Sequence, residues 1–148
     1  MRTETERAPA RGVEGALRGY CDAVRPRAVV SAYLFGSLAS GTGHGDSDVD
    51  VAVLLDAGAV PSRSARARAA MALNSALIAA LHRNEVDVVV LNDAPPELAT
   101  AAVTLGVRVY CADADADHAF ARTVQLRLAD IRPFLERTRR LKLEALAR

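Results

Sequence analysis

The chain has 148 residues, with 19 Lys and Arg against 18 Asp and Glu, and 51% of it is apolar. That length holds one domain with a real core and leaves no room for a second full domain. The near-neutral charge excludes a general polyanion binder, so no direct nucleic-acid partner is expected, and the charged start Met1-Arg2-Thr3-Glu4 with no apolar run behind it predicts neither signal peptide nor membrane span and a cytoplasmic protein.

Residues 1–12 carry charges, Pro9 and Gly12 and read as a frayed lead-in, so the fold is expected to begin near Val13 with a helix over 13–25. Cys21 and Cys111 stand far apart outside any Cys-x-x-Cys or Cys/His cluster, which predicts reduced thiols and neither a disulfide framework nor a zinc site. After Pro26 the run from Ala28 to Phe35 reads as a buried strand that stops at Gly36-Ser37. A glycine-rich turn, Gly41-Thr42-Gly43-His44-Gly45, with His44 at its tip, leads into Asp48-Val49-Asp50-Val51-Ala52-Val53-Leu54-Leu55. The alternating start and apolar finish of that run suit a second strand.

From Pro61 to about Arg83, Ala70, Leu73, Leu77 and Leu81 recur at helical spacing, with Met71 and Ile78 widening the core-facing stripe and Arg63, Arg66 and Arg68 on the solvated side. Val86 to Leu91 predicts a third strand. Pro95-Pro96 opens a helix with Leu98, Ala102 and Leu105 on one face, and Gly106 stops it before a short strand at 107–110. Beyond, Phe120, Val124, Leu128, Ile131 and Leu135 share an apolar face, and Pro133 is expected to kink or restart the helix. Strands alternating with helices predict an α/β (α+β) domain over 13–112 and a helical tail over 113–148.

Side chains alternate along a strand, so Asp48 and Asp50 project from one side while Val49, Val51 and Val53 turn to the core. Paired carboxylates repel one another unless a hard cation such as magnesium lies between them or water screens them. Asp87 is the only acid within Val86 to Leu91 and joins the pair if the two strands pair, giving three carboxylates that can anchor two metals. Gly36-Ser37 offers what a phosphate needs after a strand: a residue without Cβ, so that backbone N–H approaches closely, and a hydroxyl. Taken singly, these residues are also what exposed strand ends and turns contain; their joint spacing argues against that plainer reading. Asp113, Asp115 and Asp117 mimic the motif, but an Ala-Asp run before a helix suits the positive helix end and is read as a decoy. Arg127, Arg132, Arg137, Arg139, Arg140 and Lys142 make the tail basic, as a solvated face or an electrostatic docking surface.

Ten residues separate Ser37 from Asp48, one separates Asp48 from Asp50, and a third Asp follows on a later strand. With this pattern the chain resembles the nucleotidyltransferase superfamily of DNA polymerase β. More narrowly, Tyr33-Leu34-Phe35-Gly36-Ser37, Ser47-Asp48-Val49-Asp50-Val51-Ala52-Val53-Leu54-Leu55 and Val86-Asp87-Val88-Val89-Val90-Leu91-Asn92-Asp93-Ala94-Pro95-Pro96 look like the MntA antitoxins of HEPN–MNT modules, from about residue 13 into the tail. The resemblance implies a mixed sheet flanked by helices, Mg2+ (two ions), ATP as donor, and transfer of AMP to a tyrosine hydroxyl of a partner HEPN ribonuclease toxin. It also implies Asp48, Asp50 and Asp87 as metal ligands and catalytic residues, and Gly36 and Ser37 at the nucleotide. One departure stands out: Ser40 and Gly41 follow Ala39 where the family usually carries arginine, leaving Arg63 or Arg66 to supply a cation. Two rivals remain, a small-molecule transferase of the aminoglycoside type and an antitoxin that acts by binding alone. The first usually adds a larger helical domain, and the intact acidic triad argues against the second.

Overall fold

Val49–Leu55 lies in the interior of the sheet because it is apolar on both faces: Val49, Val51, Val53 and Leu55 are buried toward one side, Ala52 and Leu54 toward the other. The computed structural model describes residues 4–41, 43 and 47–147, with side chains from Gly12 onward. Thr42, His44 and Gly45 of the predicted turn, and Met1 to Thr3, lie outside the described residues. The elements are α1 (Glu4–Val24), β1 (Val29–Phe35), α2 (Ser37–Ser40), β2 (Val49–Leu55), α3 (Arg63–Leu81), β3 (Val86–Val90), α4 (Pro96–Leu105), β4 (Val107–Cys111) and α5 (Ala114–Leu146), with a 3-10 turn at Leu91–Asp93.

The strands form one sheet in the order β3-β2-β1-β4. β1 runs antiparallel to β2 and β4, whereas β2 and β3 are parallel, so the sheet is mixed, as the resemblance implied. On one face Val13, Leu17 and Cys21 of α1 and Leu77 of α3 pack against Leu34, Val51 and Val53. On the other, Ala99 and Ala102 of α4 and Val124 of α5 meet Tyr33, Ala52 and Leu54. Full burial of each such Val or Leu contributes about 1.5–3 kcal/mol, so the two half-cores together hold the strands in place. Among the described residues no helix is long and apolar enough to cross a membrane, and the two cysteines are free thiols. Burial pushes the Cys21 thiol up to about 11, which makes it a core residue and not a nucleophile.

Several expectations from the sequence need correction. α1 begins at Glu4, so the predicted lead-in is largely helix, although Val13 is the first buried side chain described. The chain after Gly36 is not a bare turn, since Ser37–Ser40 makes one helical turn closed by Gly41 at φ 76°. Pro133 does not restart the helix, since the tail runs as one helix from Ala114 to Leu146 with the proline inside it. Met71 and Leu105 are 70% and 76% exposed. Met71 lies about 100° around the helix from Ala70 and so points away from the core, and the small residues Ala99 and Ala102 take the core side of α4.

The acidic run before α5 divides into two roles. Asp113 caps the helix, accepting a hydrogen bond from the Ala116 N–H at 3.0 Å. Asp117 is not a solvated helix-end carboxylate: it is 2% exposed and accepts from the Tyr33 hydroxyl at 2.8 and 2.9 Å and from Arg108 Nη1 at 3.0 Å. Burial pushes this carboxyl up, but the hydrogen bonds and the Arg108 charge outweigh it and hold it below the usual carboxylate range. Among the described residues the buried Ser31 hydroxyl has no hydrogen-bond partner, whereas Tyr33 and Arg108 both donate to Asp117. The same network raises the Tyr33 hydroxyl through burial first and then its bond to Asp117. Through these contacts α5 is fastened to β1 and β4.

Candidate active site

Because β1 is antiparallel to β2 and β2 is parallel to β3, the end of β1 and the beginnings of β2 and β3 meet at one end of the sheet. Asp50 and Asp87 are direct register partners there. Adjacent strands lie about 4.8 Å apart, so the two side chains share a face as neighbours. One step back along the same register Asp48 stands opposite Glu85, and the Val49 N–H donates to the Glu85 carbonyl at 3.1 Å. The predicted Asp48, Asp50 and Asp87 are therefore brought together, with Glu85 as a fourth acid. Glu85 was legible in principle, since Glu85-x-Asp87 repeats the Asp48-x-Asp50 spacing.

Asp50 is half-buried while Asp48, Asp87 and Glu85 are exposed. Burial, then the charges of Asp87 and Asp48, raise the Asp50 carboxyl above its ordinary value. Glu85 is raised as well, first by sharing a hydrogen bond with Asp48 and then by that group's charge. Asp48, Asp50, Glu85 and Asp87 gather hard carboxylate oxygens at one end of the sheet, a donor set that fits a divalent cation of the magnesium type. Among the described residues no three His, Cys, Asp or Glu side chains already stand as a group able to hold a metal. The acids face one another without forming a closed cage.

Phe35 pairs with Asp50, so the next residue, Gly36, arrives directly beside that carboxylate. Gly36 has φ 74°, and a Cβ there would overlap Asp50 Oδ2 and lie 3.3 Å from Cγ. Glycine is thus required twice, by the left-handed backbone and by the space the acid occupies. Ser37 follows, half-buried at the start of α2, and its carbonyl accepts from the Gly43 N–H at 2.9 Å.

Arg63 and Arg66 do not reach this site. They begin α3, which follows the far end of β2, and the five residues from Asp50 to Leu55 span roughly 17 Å. Arg66 is also committed: its guanidinium makes a bidentate pair with Asp93 at 2.7 and 2.9 Å and donates to the carbonyls of Val60 and Pro61. It is not part of a solvated face. A cation that the sequence reading passed over does reach the site. Arg83, just beyond α3, donates from Nη1 to the Ser47 carbonyl at 2.9 Å, one residue from Asp48.

The family model described as Polymerase beta, Nucleotidyltransferase matches residues 23–115, which run from the end of α1 to the start of α5 and include every acid of the site. The chain belongs to this nucleotidyltransferase family. A comparison with curated proteins gave no match. Among solved structures, a toxin–antitoxin with AMP-PNP contains a chain 28% identical, with TM-score 0.58, covering 84% of this chain and 97% of that one. A chain of the toxin–antitoxin MntA-HepT is 25% identical with TM-score 0.55, covering 83% and 96%. A complex of tri-AMPylated Shewanella oneidensis HEPN toxin with MNT antitoxin contains a chain 23% identical with TM-score 0.55, covering 84% and 98%; at that identity it speaks for the fold alone.

Proposed function

We propose that this nucleotidyltransferase is an antitoxin that transfers AMP from ATP to a tyrosine hydroxyl of a partner HEPN ribonuclease toxin, in the cytoplasm and with Mg2+. The observation that carries the proposal is the in-register pair Asp50 and Asp87, with Gly36 packed against Asp50, in a member of this family. The likeness to a toxin–antitoxin chain solved with AMP-PNP supports both the donor and the kind of partner. That likeness also favours this reading over the small-molecule transferase, because the toxin–antitoxin chains match this one over nearly their whole length.

Asp48, Asp50 and Asp87 would hold the cation, which when bound neutralises triphosphate charge and aligns the α-phosphorus. The backbone N–H at Gly36-Ser37 and the Ser37 hydroxyl bind phosphate oxygens, the glycine allowing the chain to come close. The acceptor oxygen bonds to the α-phosphorus while the bond to the β-phosphate bridging oxygen breaks, and pyrophosphate leaves with that electron pair. Asp87, exposed at the edge strand, takes the hydroxyl proton. Beyond Val124 no described α5 side chain is buried, and Arg127, Arg132, Arg137, Arg139, Arg140 and Lys142 stand against Asp130, Glu136 and Glu144, a free basic face for a partner that presents the acceptor. We assign this outer helix, with exposed Phe134 and Leu141, as the toxin-docking part of a 113–148 tail and residues 13–112 as the chemical unit. The division is one of role, since Asp117 and Val124 pack into the fold.

The test is transfer from ATP labelled at the α-phosphate to purified toxin. Wild type should label it, and Asp87→Asn should lose turnover while retaining ATP binding. A variant that lost ATP affinity and kept turnover would move Asp87 to the donor side.

A further inference from the structure

We infer that Arg83 is a positioning residue whose guanidinium fixes Asp48 in the acid set by holding the Ser47 carbonyl. The reason Asp48 needs fixing rests on the proposed reaction, but the device itself is read from the backbone. β2 begins at Val49, so Asp48 lies just outside the ladder and is exposed. On its C-terminal side the chain is anchored by the Val49 N–H bond to the Glu85 carbonyl, 3.1 Å. On its N-terminal side the anchor is Arg83 Nη1 on the Ser47 carbonyl, 2.9 Å. The two bonds bracket Asp48, and both come from the short segment between α3 and β3.

The end of α3 aims Arg83 at that carbonyl. His82 adopts φ 52°, ψ 42° and its N–H bonds to the Ile78 carbonyl, which also accepts from the Arg83 N–H at 3.3 Å. A left-handed residue at this place turns the chain off the helix axis, and the next side chain is thrown across to the start of β2. Arg83 is half-buried, so its donor is held in a defined place and not left to wander in solvent. Its positive charge also lies at the acid-rich end, whereas Arg66 is spent at the opposite end on Asp93.

The test uses full-length protein and Mn2+ as the probe, with binding measured on the free protein and transfer measured separately. Loss of a residue that orients a ligand typically costs about 10–100-fold in metal affinity or activity. Arg83→Ala is expected to weaken Mn2+ binding and lower kcat by a factor in that range. Arg83→Lys, which keeps a charged donor for the carbonyl, should recover most of both. If Arg83→Ala melts below the assay temperature, Arg83→Gln, a neutral donor without the fork, should bind Mn2+ more weakly than Arg83→Lys. Unchanged Mn2+ affinity in Arg83→Ala, equal impairment of alanine and lysine variants in step with falling Tm, or no Mn2+ binding by wild type would each overturn the inference. A clear Mn2+ difference between folded variants in a protein that transfers no nucleotide would uphold it and reject the proposed reaction.

Discussion

A Cβ on Gly36 would occupy the place of Asp50 Oδ2, so the glycine that ends β1 and the acid on β2 form one steric unit. Their contact follows from the antiparallel pairing of Phe35 with Asp50. The turn that approaches a phosphate and the carboxylate that approaches a cation therefore cannot be altered independently.

Gly36→Ala is expected to abolish transfer, because the methyl must displace the Asp50 carboxylate. A left-handed backbone adds about 1–2 kcal/mol of destabilisation for a residue with Cβ. Thermal melting together with labelled-ATP transfer checks this. Normal turnover in a folded Gly36→Ala protein would show that the glycine is only a turn former.

Asp50 is raised in the folded protein by burial and by its acidic neighbours. Proton binding therefore favours the fold, and this stabilisation is present below the ordinary carboxylate range and lost as pH rises through the raised value. In metal-free buffer Asp50→Asn, which carries no charge at any pH, should melt above wild type at neutral pH, and the gap should close toward about pH 4. Melting curves over that window decide it, and a lower neutral-pH Tm for the variant would contradict the repulsion described.

Asp117 has the opposite sign. Its folded value is lowered, so its contribution is present above the ordinary carboxylate range and lost as pH falls through the folded value. Asp117→Asn should cost about 1–3 kcal/mol at neutral pH in urea unfolding, with the deficit shrinking in acid. Turnover below the melting range should be unchanged, which separates this buried acid from those of the candidate site.

Arg66→Ala is expected to lower stability by about 1–2 kcal/mol through loss of the paired hydrogen bonds to Asp93. The KM for ATP should not change, since Arg66 sits at the opposite end of the sheet from Asp50. A large rise in KM with stability intact would restore Arg66 as a phosphate contact.

The parts of this fold that obey a short repeat were legible in the sequence. Alternation along Asp48 to Leu55 put both acids on one face, and Gly36-Ser37 marked the end of β1 because only glycine suits the turn. The partnership of Asp50 with Asp87 needed a further fact, that β2 and β3 are parallel and in register, which no local pattern encodes. Asp117 was misread for the same reason: an acid in the first turn of a helix satisfies a local rule, and its burial beneath Arg108 and Tyr33 depends on residues distant in sequence. Arg66 was offered as a cation for the site and Arg83 was passed over, because an arginine in or just after a helix says nothing about which end of the sheet it will reach.

The proposal is tested most directly by the intact mass of a HEPN toxin co-expressed with this chain, in wild type and in the Asp48→Ala/Asp50→Ala double variant. The acids supply the proposed chemistry, whereas the outer part of α5, remote from them in sequence, supplies the proposed docking. Wild type is expected to rescue growth and to add AMP mass to the toxin. The double variant should still bind the toxin yet leave its mass unchanged and fail to rescue. Full rescue by the double variant, with no mass added in either case, would contradict the account and make this an antitoxin that works by binding alone.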